Sequence, residues 1–295
     1  MVEPVVYGLA LVPAVLWGFS PILSKRGMAG GGSSLQASLT VVTVDSALYW
    51  VALVVFVGTD PLAGLGSWSI GLFLGAGVVG TALGRLATFT GVDRVGASIN
   101  SAGISTRPLF ATLLALVWLG EPVGVLTGLG VVILVAGLVV LTLSKGGDLA
   151  GWRPRDLFFP LAAAATFGIG NVIRRFGLTT TDTTVLQAVA LNEVGALAGL
   201  TLFAVVARRG DVLQAPRATY QYFAGSGFLT AIALLALFAA LDQGRVAVVD
   251  PLAGTAPLFT TIFAALLLGD LERVTKGVVA GAGLIVLGAA LITLS

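Results

Sequence analysis

Apolar residues run in blocks along this chain, and short breaks of Gly, Pro, Asp and basic residues separate them. The breaks leave ten apolar segments, near 4–24, 35–57, 69–91, 96–119, 122–143, 156–174, 184–207, 219–241, 246–269 and 274–294. Each is close to 20 residues, the length an α-helix needs to cross the hydrocarbon core of a bilayer. The pattern predicts an all-α membrane protein with ten transmembrane helices. The longest polar break, SKGGDLAGWRPRD at 144–156, falls at mid-chain and reads as a linker between residues 1–147 and 148–295.

The two halves repeat one another. PLFATLLALVWLGE at 108–121 returns as PLFTTIFAALLLGD at 257–270, an offset of 149. At that offset Phe89 falls on Phe238, Asp93 on Asp242, Thr106 on Thr255 and Pro108 on Pro257. Near the start, AVLWGFSPILSKRG (14–27) matches AATFGIGNVIRRFG (164–177), with Gly18 on Gly168 and Lys25 on Arg175, and LQA at 35–37 recurs at 186–188. A duplicated unit of five helices must cross the membrane in opposite directions in its two copies. The expected architecture is therefore two inverted five-helix repeats, an arrangement that sets a substrate site near the midplane between halves.

These features resemble the EamA-type branch of the drug/metabolite transporter superfamily. The resemblance rests on Pro-Leu-Phe near the start of helices four and nine, Leu-Gly-Glu/Asp at their ends, and the glycine-rich last helix, GVVAGAGLIVLGAALITL at 277–294. It implies a secondary transporter, often an exporter of amino acids or other small metabolites, without implying a particular substrate.

Composition agrees and removes alternatives. Hydrophobic residues make up 57% of 295 positions and charged residues 10%, where a soluble domain carries about 25% charged residues. With no cysteine and no histidine, thiol chemistry, iron–sulfur clusters and the usual metal ligand and proton shuttle are missing. No cofactor or metal is expected, and no nucleophile–base set suggests an enzyme. A net charge of +2 gives no reason to expect a nucleic-acid partner. The N-terminal stretch MVEPVVYGLALVPAVLWGF has neither a basic n-region nor a small-residue cleavage site, so it is read as a retained first helix.

Charge inside a bilayer costs several kcal/mol unless it faces protein or water, which makes intramembrane charges site candidates. Five stand out: Asp45, Arg85, Arg107, Glu193 and Asp250. Asp45 lies mid-way along the second helix and shares a face with Ser38 and Tyr49. Its approximate counterpart is Glu193, beside Asn192. Such acids suit a substrate amine or a coupling proton, and equally suit a structural ion pair with an arginine. Arg85, toward the end of the third helix, could line the site or snorkel to the interface. Arg107 precedes Pro108 and shares a face with Asn100 and Gly103, while Ser98, Ser101 and Ser105 line the neighbouring face. Its expected partner, if it is structural, is Asp45 or Glu193. The repeat has Ala256 in place of Arg107 and Asp250 in place of Ser101, so the halves differ in charge. Trp17 suits a cavity wall or plain packing. Asn171, close to Arg174 and Arg175, is read as marking a helix exit. Gly71, Gly75, Gly80 and Gly84 form small-xxx-small pairs expected to admit close helix packing.

Loop charge sets the expected orientation. Eleven basic residues, including Lys25, Arg94, Arg153 and Lys276, fall on one side, against Arg174, Arg175 and Arg245 on the other. The positive-inside bias puts the odd-numbered loops in the cytoplasm and both termini outside a plasma membrane. The family resemblance points the other way, since its members more often keep their termini cytoplasmic. Two functions suit the candidates. One is alternating access for a small metabolite, with arginines receiving an anionic group and a carboxylate binding an amine or a proton. The other is a flippase in which Arg85 and Arg107 hold a lipid phosphate.

Overall fold

Ten helices long and apolar enough to span a membrane occur among the described residues. The computed structural model describes residues 3–95, 97–144, 153–207, 209–210, 214–268 and 275–294, with the side chains at 97–98 and 264–268 set aside. The expected boundary at 147–148 and the Gly269–Asp270 match lie outside the described residues. The spans are α1 (Pro4–Ala29), α2 (Ser34–Val57), α3 (Ser67–Val95), α4 in two pieces (α4a, Ala97–Ile104; α4b, Arg107–Trp118), and α5 (Val125–Leu143). They continue as α6 (Phe158–Thr180), α7 (Val185–Val206), α8 (Arg217–Gln243), α9 in two pieces (α9a, Val246–Ala253; α9b, Ala256–Leu268) and α10 (Lys276–Thr293).

The repeat is visible in local structure. Ser33 and Gln36 close a capping box at the start of α2, and Thr184 and Gln187 close its equivalent at the start of α7. Each box satisfies two backbone N–H groups that a helix start leaves open. The breaks in α4 and α9 also correspond, at Ser105–Thr106 and Gly254–Thr255. Both lie just before Pro108 and Pro257, each in the first turn of the piece that follows. A missing backbone donor there costs that piece nothing and leaves the preceding turn without a helical partner.

Packing maps onto itself when the halves are exchanged. Helix α1 packs on α8 as α6 packs on α3, and α2 packs on α8 as α7 packs on α3. Gly18 in α1 faces Phe259 and Thr260 of α9b, while Gly168 in α6 faces Phe110 and Ala111 of α4b. Likewise Gly27 lies against Phe223, and Gly177 against Phe73. The remaining pair, α5 with α10, meets backbone to backbone. A Cβ on Gly137 would sit 2.7 Å from the Ile285 nitrogen, and one on Gly288 would sit 2.5 Å from that of Leu134.

Helix α3 departs from the expected packing. Gly71 and Gly75 face open space, whereas Gly80 meets Gly170 of α6 and Gly84 meets the Phe167 ring. The tightest approach is at Gly77, where a Cβ would collide with the Asn192 carbonyl oxygen of α7. Immediately afterwards, Val78–Leu83 opens into a π-helical turn, a local widening often found at functional positions. Of the expected series, Gly80 and Gly84 meet a neighbouring helix and Gly71 and Gly75 do not.

Backbone cannot yield to a methyl as a flexible side chain can. Gly77→Ala is expected to destabilise the protein by at least ~1–3 kcal/mol, the usual range for overpacking. Gly75→Ala should leave stability unchanged or slightly raised, because alanine favours helix over glycine. Melting temperatures of the two variants in detergent check this pair.

Candidate functional site

A chain of buried polar side chains crosses the helix core. It starts at Arg107, the first residue of α4b, whose Nε lies 3.1 Å from both carboxylate oxygens of Asp250 in α9a. Arg107 Nη2 also donates to the Asp250 backbone carbonyl at 3.3 Å. Asn171 of α6 donates its amide to Asp250 Oδ1 and accepts from Arg174 Nη1 at 2.6 Å. Arg174 donates further to Thr81 Oγ1 in the π turn of α3 (2.8 Å) and to Asn192 Oδ1 in α7 (3.0 Å). Asn192 then donates to Glu193 Oε1 at 2.8 Å. Five helices contribute to one continuous run of hydrogen bonds.

Satisfaction of Arg174 explains the local fold. Its guanidinium has five N–H donors in a rigid fork and no acceptor, and the residue is 4% exposed. Three neutral acceptors take its protons, and the Phe238 ring lies 5.3 Å from the guanidinium carbon. A cation over an aromatic face contributes about 2 kcal/mol when desolvated. With the charge met internally, α6 does not end at 174 as the sequence suggested but runs on to Thr180. Asn171 is likewise a link in the chain and not an exit marker.

Asp45, Glu193 and Arg85 gather at the far end. Both acids are 0% exposed, and each lies within electrostatic reach of the other and of Arg85. Arg85 Nη1 points to Ser38 Oγ at 3.4 Å. Tyr49, one turn after Asp45, donates to the Ala231 carbonyl of α8 at 2.5 Å. Both Asp45 oxygens and Glu193 Oε2 are buried without a hydrogen-bond partner.

The expected pairing of Arg107 needs correction. Its partner is Asp250, not Asp45 or Glu193, because the break at Ser105–Thr106 turns the start of α4b toward α9a. Asn100 and Trp17 stand apart from the chain. Asn100 lies over Gly91 of α3 with its Oδ1 unpartnered, and Trp17 packs against the apolar core. The sequence reading missed Arg174, Asn192 and Thr81 as members of this chain. Asn171 and Arg174 sit three residues apart on one helical face, a signal masked by treating Arg174 as a loop residue. Removing Arg174 from the loop count leaves two basic residues, Arg175 and Arg245, on the sparse side.

Those two residues tie the halves together at one face. Glu121, between α4b and α5, accepts from the Val246 backbone N–H through Oε2 at 2.8 Å. Its Oε1 lies 3.5 Å from Arg175 Nε, an ion-pair distance without hydrogen-bond geometry. Arg175 Nη1 donates to the carbonyls of Leu241 and Asp242 at the end of α8, and Arg245 Nη1 donates to Pro122 O. Burial pushes the Glu121 carboxyl up from its ordinary 4.5, against the opposing pull of Arg175 and the Val246 and Ala247 N–H groups.

Comparison with known proteins now decides the family. The EamA-like transporter family matches residues 5–143 and again residues 155–294. The chain belongs to this family. It is therefore a multi-pass membrane protein of a transporter family. A WAT1-related protein of Arabidopsis thaliana, described as chloroplastic, is 30% identical over 170 residues. That match takes in 56% of this chain and spans only 39% of the plant protein's length. A solved crystal structure shares the fold with a TM-score of 0.80 at 18% identity, covering 98% of this chain and 96% of the other.

Two outcomes are expected from this geometry. Arg107→Ala strands the buried Asp250 charge and is expected to lower stability by ~3–5 kcal/mol; the Arg107→Ala/Asp250→Asn double variant should recover most of that loss in a detergent melt. For Glu121 the sign is set by its raised value. The folded state holds this proton more tightly than the unfolded state, so its contribution is full below 4.5 and lost as pH rises through the folded value. Acidification from neutral pH toward 4.5 should therefore raise the melting temperature of the native protein relative to Glu121→Gln.

Proposed function

We propose that this protein exports a small zwitterionic metabolite, an amino acid being the simplest fit, by alternating access around the buried polar chain. The observation that carries this reading is the chain itself: two arginines and two acids joined by hydrogen bonds within an apolar bundle by residues from both halves, with buried Asp45 and half-buried Arg85 as further charges. A structural core gains little from so much charge, since well-packed apolar residues of similar volume are often at least as stable. Charges of both signs fit a substrate that carries both. Arginine receives a carboxylate through its planar fork, and an ammonium group has three donors for carboxylate oxygens.

The broken helices support the same reading. Discontinuous spans place helix ends and free backbone groups beside a midplane ligand, and Arg107 sits at the start of α4b against Asp250 of α9a. The Glu121–Arg175–Arg245 contacts close one face across the two halves, the kind of tie that an alternating-access cycle must make and break. By the loop charges that face is the outer one, with the termini on the same side.

Reconstitution into liposomes tests the proposal. Vesicles preloaded with an unlabelled amino-acid mixture should accumulate labelled amino acid in counterflow, and Arg174→Ala should abolish it. No exchange of amino acids, with fluorescent phospholipid equilibrating between leaflets instead, would overturn this function in favour of a flippase.

A further inference from the structure

Two helix pairs form the middle of the bundle, and they are equivalent under the repeat. Helix α1 lies on α8, with Gly27 against the Phe223 ring and with Ser20 and Ser24 both hydrogen-bonded to Ser226. Helix α6 lies on α3, with Gly177 against the Phe73 ring, Gly170 on Gly80, and Arg174 bonded to Thr81. Where the two pairs touch each other, the equivalence fails. Helix α6 packs on both α8 and α9a, and its Arg174 lies over the Phe238 ring of α8. Helix α1 would make the matching contacts with α3 and α4a, yet among the described residues it has no comparable packing on either. The pairs meet at the face of Glu121 and part at the opposite one.

The closed face is held by a cation on a helix end. Arg175, two residues before Gly177, donates Nη1 to the carbonyls of Leu241 and Asp242 in the last turn of α8. A helix end suits a cation, because its last carbonyls lack intrahelical donors and carry partial negative charge. Lys25 holds the same place on α1, two residues before Gly27. At the repeat offset, Leu241 and Asp242 correspond to Val92 and Asp93 in the last turn of α3. Five spans separate α1 from α6, so the two run in opposite directions and these equivalents lie at the opposite face. There Lys25, Val92 and Asp93 are all exposed. Arg94, next to Asp93, is turned toward Asp156 at 4.0 Å.

We infer that Lys25 and the last turn of α3, at Val92 and Asp93, form a second latch that closes the opposite face when the Arg175 latch opens. The mechanics follow from the two pairs. Each is tied within itself, so each moves as a body. Rocking one against the other parts α6 from α8 at one face and brings α1 onto α3 at the other. The Lys25 ammonium has three donors, enough for two carbonyls and the Asp93 carboxylate. One latch is therefore made as its equivalent breaks, and the bundle is not left open at both faces.

This inference rests on the alternating-access reading above, but its test measures distances and not transport. The chain has no cysteine, so spin labels go only where cysteines are introduced. Ala29→Cys with Val92→Cys reports the Lys25 face, and Thr180→Cys with Gln243→Cys reports the Glu121 face. All four positions are exposed, and both pairs keep the latch carbonyls and charges. Double electron–electron resonance on protein in liposomes, without substrate, should give a short distance at the Glu121 face and a longer one at the Lys25 face. Arg175→Ala should lengthen the first and raise the short-distance fraction of the second about threefold, within the range of one partly exposed ion pair. Adding Lys25→Ala should return that fraction to its native value. A Lys25 face that stays apart while the Glu121 face opens overturns the latch, as does a short-distance fraction that survives Lys25→Ala. Should Arg175→Ala show no melting transition, Glu121→Gln weakens the same tie and is held to the same outcomes. A Glu121 face that stays closed in the folded variants also overturns the inference, because Arg175 is then not what holds it shut. Absence of amino-acid counterflow in the native protein, with distances that move as expected, overturns the proposed substrate and leaves the latch standing.

Discussion

A guanidinium cannot shed its charge in a protein, and Arg174 is held where water does not reach it. Much of the central architecture answers that single demand. Thr81, Asn171 and Asn192 must converge on it from three helices, and the Phe238 ring must cover it. Each of those partners then has its own requirements. Asn171 hands on to Asp250, which holds Arg107, and Asn192 hands on to Glu193. Satisfying one cation from neutral acceptors leaves the acids to be satisfied elsewhere, and that displacement is why the middle of the bundle carries charges instead of leucines.

The same demand explains how much could be read without coordinates. Helix number and the duplicated unit were legible because they are written in long apolar blocks and in phrases such as Pro-Leu-Phe, which recur at fixed offset. The candidate acids and Arg107 were legible because charge in an apolar block has no neutral explanation. Arg174 was not, since it stands next to Arg175 in a pair that looks like the end of a helix. Local sequence cannot distinguish a basic pair leaving the membrane from one whose members part, Arg174 turning inward and Arg175 reaching the carbonyls of α8.

Partner choice was illegible for a different reason. Whether Arg107 meets Asp45, Glu193 or Asp250 depends on the direction in which α4b leaves its break, a few backbone angles at Ser105 and Thr106 that no residue pattern encodes. The π turn in α3 is similar. It follows directly on Gly77, which lies outside the expected series yet makes the closest approach, while Gly71 and Gly75 meet nothing.

The contact of Gly80 with Gly170 sets the reach of a hydrogen bond. A Cβ on Gly80 would come within 2.5 Å of the Gly170 Cα and 3.2 Å of Arg174 Nη2. Threonine has a short side chain, and Thr81 touches the guanidinium only because α3 and α6 run backbone against backbone there. A spacer the size of one methyl would therefore be registered first in the electrostatics of a buried cation rather than in the packing of two helices. Glycine at this crossing acts as a gauge block that fixes how far a hydroxyl must stretch to hold a charge.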